Sequence, residues 1–437
     1  MSDWLTPEML NLELTQRQEE GCAVADLEVR AAALGPAPST ADLVGLWAEA
    51  ETRAPLPTFP YWEPSDLDSI RLARPDGPRQ LDLKLSPAEL YDKVYGAWLG
   101  RAAGCMVGKP VEGWKRAQVR ELLTATGQYP LSDYFEWQEE SPANREFHRF
   151  FAKNWCRGHI DRMVRDDDMD YPVLGLKLLE EKGLSFTTQD MADRWLLSLP
   201  YMMVYTAERV TYRNLVLGLK PPASAVFKNP YREWIGAQIR ADIFGWAAPG
   251  DPEYAAELAH REATLSHVKN GVYGEMLIAA MLAAAFVTSD LDEIIQIGLS
   301  EIPGTCRLAE AVRNVVKWSK AEPDWERTLD RILAEYGHYH GVHTINNAAL
   351  VIMGLVYSDL ELEPAICRAV MGGEDTDCNG ATVGSIVGAV RGAKALPAKW
   401  IAPLNDRLES IVVGMTDNRI SDLAERTIKA GMYASLA

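Results

Sequence analysis

Two aspartates separated by one residue, Asp375 and Asp377, stand at the start of the most distinctive stretch of this chain, MGGEDTDCNGATVGSIVGAV. The glycines before them, Gly372 and Gly373, suit a tight turn, and the apolar run after Asn379 has the pattern of a buried helix. In a loop that enters a helix both carboxylates can converge, and converging hard oxygens are what Mg²⁺ or Ca²⁺ requires. The alternative is an aspartate that caps the helix, with its neighbours in solvent.

A second acidic run, residues 165–170, leads into the apolar helix pattern YPVLGLKLLEE. An acidic first turn suits the helix dipole, and Asp168 alone would serve as a cap, but a run this dense exceeds that need. If Asp166, Asp167 and Asp168 face the first aspartate pair, their mutual repulsion raises the pKa of the carboxyls unless cations lie among them. Two Mg²⁺ ions would resolve this repulsion, with Arg165 as a competing internal counter-ion.

A third candidate is the turn at residues 108–113, with the sequence GKPVEG. Glu112 is held between a proline and a glycine, and such a rigid placement suits a general acid or base. Lys109 is placed to contact an anionic group of a substrate. The alternative is an ordinary surface loop of the same composition. Together with the two acidic runs, the turn predicts a metal site with a general acid or base beside it.

The helix before this turn has a strong start signal, with Ser86 as cap, Pro87 at the first position and Glu89 three residues after the cap. Glycines then recur at every fourth position, and they do so again after the aspartate pair; the two stripes are Gly96, Gly100, Gly104, Gly108 and Gly380, Gly384, Gly388, Gly392. Each glycine costs a helix ~1 kcal/mol relative to alanine, so the stripes predict close backbone contact between two core helices. A membrane dimer motif is the alternative, but Arg101 and Lys109 interrupt the first stripe.

Helical patterns continue through most of the chain, whereas alternating β-branched strands are almost absent. The sequence therefore predicts an all-α domain over residues 86–437. Residues 1–85 are punctuated by proline and glycine and predict an N-terminal extension that packs on this domain, or else a small separate domain. The further predicted helices are 168–182, 188–197, 231–244, 252–266, 274–288, 290–299, 306–321, 325–336, 345–357 and 362–371.

The composition excludes several classes of function. The formal net charge is −18 and the pI is near 4.9, which argues against a nucleic-acid or anionic-membrane partner. The six cysteines are scattered without a CxxC pair and predict reduced thiols. The stretch MSDWLTPEMLNLELTQRQEE has no apolar signal core, and no apolar run has spanning length. We therefore expect a cytoplasmic protein.

The motifs GAWLGRAAGCMVGKPVEG, RDDDMDY and GGEDTDCNGATVGSIVGAVRG, in this order and followed by LPAKW, resemble those of the ADP-ribosylglycohydrolase family over residues 86–404. The resemblance implies an all-α orthogonal bundle, a binuclear Mg²⁺ site (Mn²⁺ in some members) and cleavage of the glycosidic bond at the anomeric carbon of ADP-ribose. It implies that four aspartates bind the metal: Asp167, Asp168, Asp375 and Asp377. Glu112 matches the family's glutamate near the scissile bond.

Three departures from the family pattern concern the ligands and the substrate. Its first acidic motif commonly reads Thr-Asp-Asp-Thr, whose register on this chain is open by one residue, so Asp166 is a further candidate ligand. Cys378 stands where its second motif has threonine, and a thiol is a poor ligand for Mg²⁺. Its glycine-asparagine-glycine stretch, which contacts the ribose-phosphate part of the ligand, appears here as WIGAQIR, where only Gly236 and Arg240 fit. This departure points to a different ribosyl or N-glycosyl substrate.

Two groups of polar residues outside these motifs are further candidates. His267 and Asn270 lie in the stretch SHVKNGVYGE and are suited to line a pocket, although a satisfied core histidine is the alternative for the first. The histidines of GHYHGVH, which are His338, His340 and His343, have no cysteine or carboxylate partner near in sequence. We interpret them as loop residues, with His343 capping or lining the helix that follows.

With the metal site that the motifs predict, the resemblance implies a Mg²⁺-dependent hydrolase that cleaves an N- or O-glycosidic bond of an ADP-ribosyl or related ribosyl substrate. Glu112, Asp167 and Asp377 are predicted to act in catalysis, with Glu112 orienting or deprotonating the attacking water. The residues predicted to bind the substrate, a small molecule or an ADP-ribosylated one, are Lys109, Gly236, Arg240, His267 and Asn270.

Three alternative functions stay open. They are hydrolysis of a simpler N-riboside or N-glycoside in catabolism, a non-enzymatic role in nucleotide binding or structure, and a metal-dependent phosphohydrolase. The converging carboxylates argue against a purely structural role, because a structural protein has no need to keep them. The sequence does not indicate the oligomeric state.

Overall fold

The computed structural model describes residues 5–35, 37–139 and 152–434. Within these residues the protein has 21 α-helices and one two-stranded antiparallel sheet, so the predicted all-α fold is confirmed. In chain order the helices are α1 Pro7–Glu19, α2 Ala25–Ala33, α3 Thr40–Glu51, α4 Leu67–Ala73, α5 Pro87–Gly108, α6 Arg116–Ala125, α7 Asp167–Lys182, α8 Thr188–Ser198, α9 Thr206–Val216, α10 Ala223–Val226, α11 Asp242–Ala247, α12 Pro252–Ala263, α13 Lys269–Ala285, α14 Leu291–Leu299, α15 Arg307–Ala321, α16 Trp325–Tyr336, α17 Thr344–Val356, α18 Leu362–Met371, α19 Thr376–Arg391, α20 Ala398–Ile401 and α21 Ile420–Ala430.

The two strands, β1 (Arg407–Glu409) and β2 (Asp417–Arg419), form a small hairpin before the last helix. The main core is continuous and lies around α5, α13 and α19. The helix α13 is buried over almost its whole length and packs against α12 and α14. Among the described residues, no helix combines the length and the apolar character needed to cross a membrane.

The two glycine-striped helices, α5 and α19, pack directly against each other, as the sequence predicts. A Cβ atom built on Gly100 would lie less than 3.0 Å from the carbonyl oxygen of Gly384, and one built on Gly104 would lie as close to that of Gly380. Real Cβ atoms do not approach backbone atoms this closely, so each contact requires glycine. The contacts advance along α5 while they retreat along α19, so the helices are antiparallel.

The antiparallel pairing brings the end of α5 to the beginning of α19. A Cβ atom on Gly108 would meet the backbone of Thr376 and Asp377 at less than 3.0 Å. The Thr376 hydroxyl donates a hydrogen bond of 2.8 Å to the Gly108 carbonyl. The turn that holds Glu112 is therefore fixed beside the loop that holds the paired aspartates.

The N-terminal extension has a small core of its own and also contacts the main body. Its core consists of Leu10, Leu14, Cys22, Val24, Leu27, Leu43, Leu46, Trp47 and Ala50. Arg232 of the main body is buried and bonds to Glu13 at 2.5 Å and to Glu20 at 3.0 Å. Arg307 bonds to Glu63 at 2.7 Å. The domain boundary at residue 85 stays a prediction.

The single helix predicted over residues 231–244 is wrong. The structure instead has turns, a single 3₁₀ turn at Gln238–Arg240 and then α11. The reason is a long-range contact: the backbone N–H of Ile235 donates to the carbonyl of Val342 at 2.9 Å, and Trp234 pairs with His343 in an isolated β-bridge. Helical periodicity cannot report a partner more than a hundred residues away.

Two smaller predictions are confirmed. His343 is the N-cap of α17, and its ring nitrogen accepts a hydrogen bond of 3.2 Å from the backbone N–H of Ile345. All six cysteines are buried and none forms a disulfide.

The contact between the glycine backbones predicts that replacing a single glycine with alanine destabilises the fold. We expect Gly104→Ala to lower the free energy of unfolding by about 1–3 kcal/mol or more, because its new methyl group would overlap the backbone of Gly380. The matched control is Gly45→Ala in α3, where nothing lies within 4 Å, and which should gain ~0.5–1 kcal/mol. Urea denaturation measures both; equal behaviour of the two variants would contradict the contact.

The buried ion pairs predict that the extension contributes to the stability of the main body. We expect Glu13→Gln to lower the free energy of unfolding by about 2 kcal/mol, because it weakens a charge-assisted bond to the buried Arg232. The control is Glu49→Gln, which disrupts an exposed pair with Arg30 and should leave the denaturation midpoint unchanged. A midpoint for Glu13→Gln equal to that of the wild type would show that the contact is energetically neutral.

Candidate functional site

A cavity of about 420 Å³ lies where α5 ends and α19 begins. Its charged wall comes from four segments of the chain and includes every acidic residue that the sequence predicts to bind metal or to act in catalysis. The opposite wall contains aromatic and aliphatic side chains. The charged lining residues are Lys109, Glu112, Arg165, Asp166, Asp167, Asp168, Glu208, Asp375 and Asp377, and the other wall includes Tyr205, Trp234, Ile235, Ile239 and Val342.

Two backbone hydrogen bonds join the loop of Glu112 to the loop of Asp375. The N–H of Gly113 donates to the carbonyl of Glu374, and the N–H of Glu374 donates to the carbonyl of Trp114, both at 2.8 Å. Glu374 has a φ of 68°, in the left-handed region, which turns the chain sharply into α19. The two loops therefore act as one rigid unit at the end of the paired helices.

One carboxylate oxygen from each of Glu112, Asp375 and Asp377 lies within 4.8 Å of the others, and we call these residues the Glu112 group. The Oδ1 atom of Asp377 is buried and accepts no hydrogen bond from any described residue. Asn347 positions the group, because its side-chain oxygen accepts hydrogen bonds from the backbone N–H of Asp375 at 3.1 Å and from the amide of Asn379 at 2.8 Å.

The carboxyls of the Glu112 group destabilise one another when they are ionised. The negative charge of Asp377, together with burial, raises the pKa of Glu112 to about 9. Burial and the charge of Asp166 raise the pKa of Asp377 to about 7. Burial and Asp377 raise the pKa of Asp375 well above its usual value. The group therefore favours either bound protons or a bound cation.

A second set of oxygens lies at the start of α7, and we call Asp166 and Asp168, with the nearby thiol of Cys105, the Asp166 group. Asp166 caps the helix by accepting a hydrogen bond of 3.0 Å from the backbone N–H of Asp168. Lys109 forms an ion pair with Asp166. Burial alone would raise the pKa of Asp166, but the ammonium group of Lys109 holds it below its usual value.

Arg101 holds Asp168, the second carboxylate of the Asp166 group. Its guanidinium is fully buried and donates to the backbone carbonyl of Asp168 at 2.7 Å, with the carboxylate of Asp168 at 3.3 Å. It also bonds to Asp242 at 2.8 Å. Asp167, between the two aspartates in sequence, lines the cavity, and burial and the charge of Asp166 raise its pKa to about 6.

The chain matches one known protein family over most of its length. The family model for ADP-ribosylglycohydrolase matches residues 86–433. The chain belongs to the ADP-ribosylglycohydrolase family. A solved structure titled "ADP-ribosylglycohydrolase-related protein complex" matches with a TM-score of 0.53 and 18% identity, over 80% of this chain and 100% of that chain, which supports the fold alone. No curated protein is significantly similar in sequence.

Membership in a glycohydrolase family supports the predicted hydrolase class, and such a family acts on small-molecule or ADP-ribosylated substrates. Its members are typically metal-dependent. A divalent cation fits the Glu112 group of this family member, because the three residues offer hard carboxylate oxygens and Asp377 Oδ1 is buried without a partner among the described residues. The mutual repulsion of the carboxyls would also be relieved by such an ion.

The structure brings some of the predicted substrate residues to the cavity and leaves others behind its wall. Lys109 and Gly236 line the cavity. Arg240 is buried and bonds to Glu208 and Glu262, both at 2.6 Å. Direct substrate contact by Arg240 stays a prediction that this position does not favour.

His267 and Asn270 also lie behind the cavity wall and not on it. His267 is fully enclosed beside Ser266, with its Nδ1 atom 2.8 Å from the hydroxyl oxygen. Asn270 donates a hydrogen bond of 2.7 Å to Glu233. Their predicted contact with substrate remains untested, and their burial favours a structural role.

Glu208 is a carboxylate in the cavity wall that the sequence does not reveal. A Cβ atom on Gly236 would overlap its side chain, so glycine at 236 allows Glu208 to reach the wall. Burial raises the pKa of Glu208 to about 7, even though Arg240 is beside it. No motif in the sequence marks this residue, because it lies in an ordinary amphipathic helix, α9.

Arg101 and Asn347 also position the site without being predicted to do so. A charged residue within a glycine stripe of a buried helix was a usable signal for Arg101, because a buried charge requires a partner. A polar residue in the apolar stretch NNAALVIMGLV was a similar signal for Asn347.

The raised pKa values predict how metal and pH affect stability together. Folded Glu112 keeps its proton up to about pH 9 without metal, whereas the unfolded group loses it near 4.5. The metal-free protein therefore loses stability from these groups as the pH rises from 4.5 to 9. We expect the melting temperature with Mg²⁺ to exceed that with EDTA by a margin that widens over this range.

Differential scanning fluorimetry at several pH values measures this margin. Asp377→Asn is the comparison variant, because it removes the charge that contributes most to the pKa of Glu112. We expect the margin to be much smaller in this variant. A wild-type margin that stays constant from pH 4.5 to 9 would contradict a cation among these carboxyls.

Proposed function

We propose that this protein is a divalent-cation-dependent glycohydrolase that cleaves the bond between the anomeric carbon of a ribosyl group and a nitrogen or oxygen atom. The observation that carries the proposal is the convergence of Glu112, Asp375 and Asp377 at the cavity, with one buried carboxylate oxygen left without a partner. The Glu112 group would hold Mg²⁺ or Mn²⁺. The second ion that the family resemblance implies would have to lie at Asp166, Asp167 and Asp168.

We assign three residues to the chemical step: Glu112, Asp167 and Asp377. When bound, a divalent cation supplies positive charge that orients oxygen ligands and acidifies water. Glu112 is exposed to the cavity at the end of a rigid turn, so it is placed to orient or deprotonate the attacking water. Asp167 faces the cavity at the first position of α7, where its negative charge would favour an oxocarbenium-like transition state.

The aromatic side of the cavity suits a flat ring on the substrate. Trp234 stacks on His340, with ring centroids 4.0 Å apart and planes 12° apart, and Tyr231 packs on its edge at 4.8 Å. Tyr205 stands half-exposed at the rim. Rigid rings of this kind bind a nucleobase or the apolar face of a sugar.

A second candidate function is hydrolysis of a simpler N-riboside. It is favoured because the basic side chains of the cavity wall are already paired with carboxylates. Among the described lining residues the lysine and arginine side chains are Lys109 and Arg165. Lys109 is paired with Asp166, and Arg165 bonds to Asp170 at 2.8 Å. Each of these cations therefore already has a carboxylate of the protein as its counter-ion, which weakens its attraction for a pyrophosphate. The volume of about 420 Å³ also lies near the lower end of the ~300–1,000 Å³ usual for ligand pockets.

A paired substrate assay separates the two candidates. The metal-loaded protein is incubated with an ADP-ribosyl-arginine peptide and, separately, with a set of N-ribosides, and free ADP-ribose or free ribose is measured by mass spectrometry. Each reaction is repeated with EDTA. Mg²⁺-dependent release of ADP-ribose supports the first candidate, and release of ribose alone supports the second. No release of either sugar by folded, metal-loaded protein would contradict the glycohydrolase proposal.

Substitution of Glu112 tests the assignment of the chemical step. We expect Glu112→Gln to lower kcat by at least ~10²-fold with the fold intact, because the amide cannot accept the proton of the attacking water. The control is Glu374→Gln: this carboxylate is close in sequence to Asp375 but bonds to Lys115 at 2.8 Å and does not line the cavity. It should keep kcat within a few-fold of wild type. Full turnover by Glu112→Gln would remove this residue from the mechanism.

A further inference from the structure

The two acidic groups differ in what already balances their charge. In the described part of the chain, no lysine or arginine forms an ion pair with Glu112, Asp375 or Asp377. In the Asp166 group, both carboxylates face a protein cation, because Lys109 pairs with Asp166 and Arg101 lies 3.3 Å from Asp168. The first group therefore has no direct ion pair with a described lysine or arginine, and the charge of Lys109 reaches Glu112 and Asp377 only through space.

Lys109 is held in this place and is not a mobile surface lysine. It directly follows α5, so the contact of Gly108 with Thr376 fixes its backbone. Its side chain is 12% exposed, and that of Asp166 is 2% exposed. Its ammonium nitrogen also lies 5.0 Å from the centroid of the Trp155 ring, in a cation–π contact.

We propose that this protein holds one divalent cation, in the Glu112 group, and that the ammonium group of Lys109 takes the position of a second. The inference rests on the cation site of the proposed function and disagrees with the two ions expected from the sequence. A divalent ion at Asp166 would have to displace the Lys109 ammonium and lie beside the buried Arg101 guanidinium. Strong repulsion by both charges opposes it.

The donor atoms of the Asp166 group also disfavour Mg²⁺. Its third member is the thiol of Cys105, a soft donor that Mg²⁺ does not favour. Asp166 already uses one oxygen as the helix cap and the other for Lys109. By contrast, Asp377 Oδ1 in the Glu112 group is buried and has no described partner.

A single ion leaves negative charge on the side of the cavity that faces the substrate. Asp167 lines the cavity and is not among the oxygens that converge in either group. Its charge is thus free to stabilise positive charge on a ribosyl ring. The arrangement separates the residues that bind the ion from the one that faces the sugar.

Counting bound Mn²⁺ ions tests the proposal without reference to activity. Metal-free wild-type protein is titrated with Mn²⁺, the bound ions are counted by isothermal titration calorimetry, and electron paramagnetic resonance distinguishes a lone ion from an exchange-coupled pair. We expect one ion and a lone-ion spectrum. Two ions with a coupled spectrum would overturn the inference while supporting the cation site. No bound ion would overturn the cation site itself, and the inference with it.

Variants of Lys109 test its part directly. We expect Lys109→Met to bind two ions and give a coupled spectrum, because Asp166 is freed, and Lys109→Arg to keep one ion, because the charge is retained. Lys115→Met is the matched control, since this lysine pairs with Glu374 outside both groups, and it should keep one ion. One ion in Lys109→Met would show that Lys109 does not exclude the second. If this variant fails to fold, the wild-type count still decides.

Discussion

Direct backbone contact between α5 and α19 is the constraint on which the site depends. Side chains at a helix interface can change rotamer, but two glycine backbones in contact leave nothing to adjust, so the distance between the helices is fixed. The contact also selects the antiparallel arrangement and ends at Gly108. One geometric requirement, repeated every fourth residue, thereby places the Glu112 turn against the aspartate loop, although more than 250 residues separate them in sequence.

The same close approach concentrates negative charge, and several surrounding residues balance or orient these carboxylates. Arg101 comes from within the glycine stripe and holds the start of α7, so one helix both makes the contact and supplies a counter-charge. Lys109 adds a second counter-charge. Asn347 holds the aspartate loop through an uncharged amide and therefore leaves the charge of that loop unbalanced. The fold thus pairs the carboxylates of the Asp166 group with cations of the chain, and it leaves the Glu112 group without such an ion pair among the described residues.

Features that are local in the chain could be predicted from the sequence, and features that depend on distant partners could not. The glycine stripes, the cap at Ser86 and the three acidic or turn motifs each carry their signal within a few residues. The sequence predicts a helix over residues 231–244, but the backbone bond from Ile235 to Val342 holds this segment in turns. Arg240 fits a family pattern and is therefore predicted to contact the substrate, but the sequence does not show its ion pairs with Glu208 and Glu262. The sequence shows that a residue is charged, but not whether its side chain points into the cavity or pairs with another residue in the core.

The buried ion pairs of the N-terminal extension have a consequence for how the protein can diversify. Glu13 and Glu20 hold Arg232, and Gln16 bonds to Glu233 at 2.8 Å, directly before Trp234 in the cavity wall. The aromatic wall, which we propose contacts the substrate, is thus braced by the extension, whereas the Glu112 group is held at the paired ends of α5 and α19. Changes in the first part of the chain can reshape the aromatic wall without disturbing the chemistry. Under the proposed function, selectivity and catalysis are therefore open to separate evolutionary adjustment.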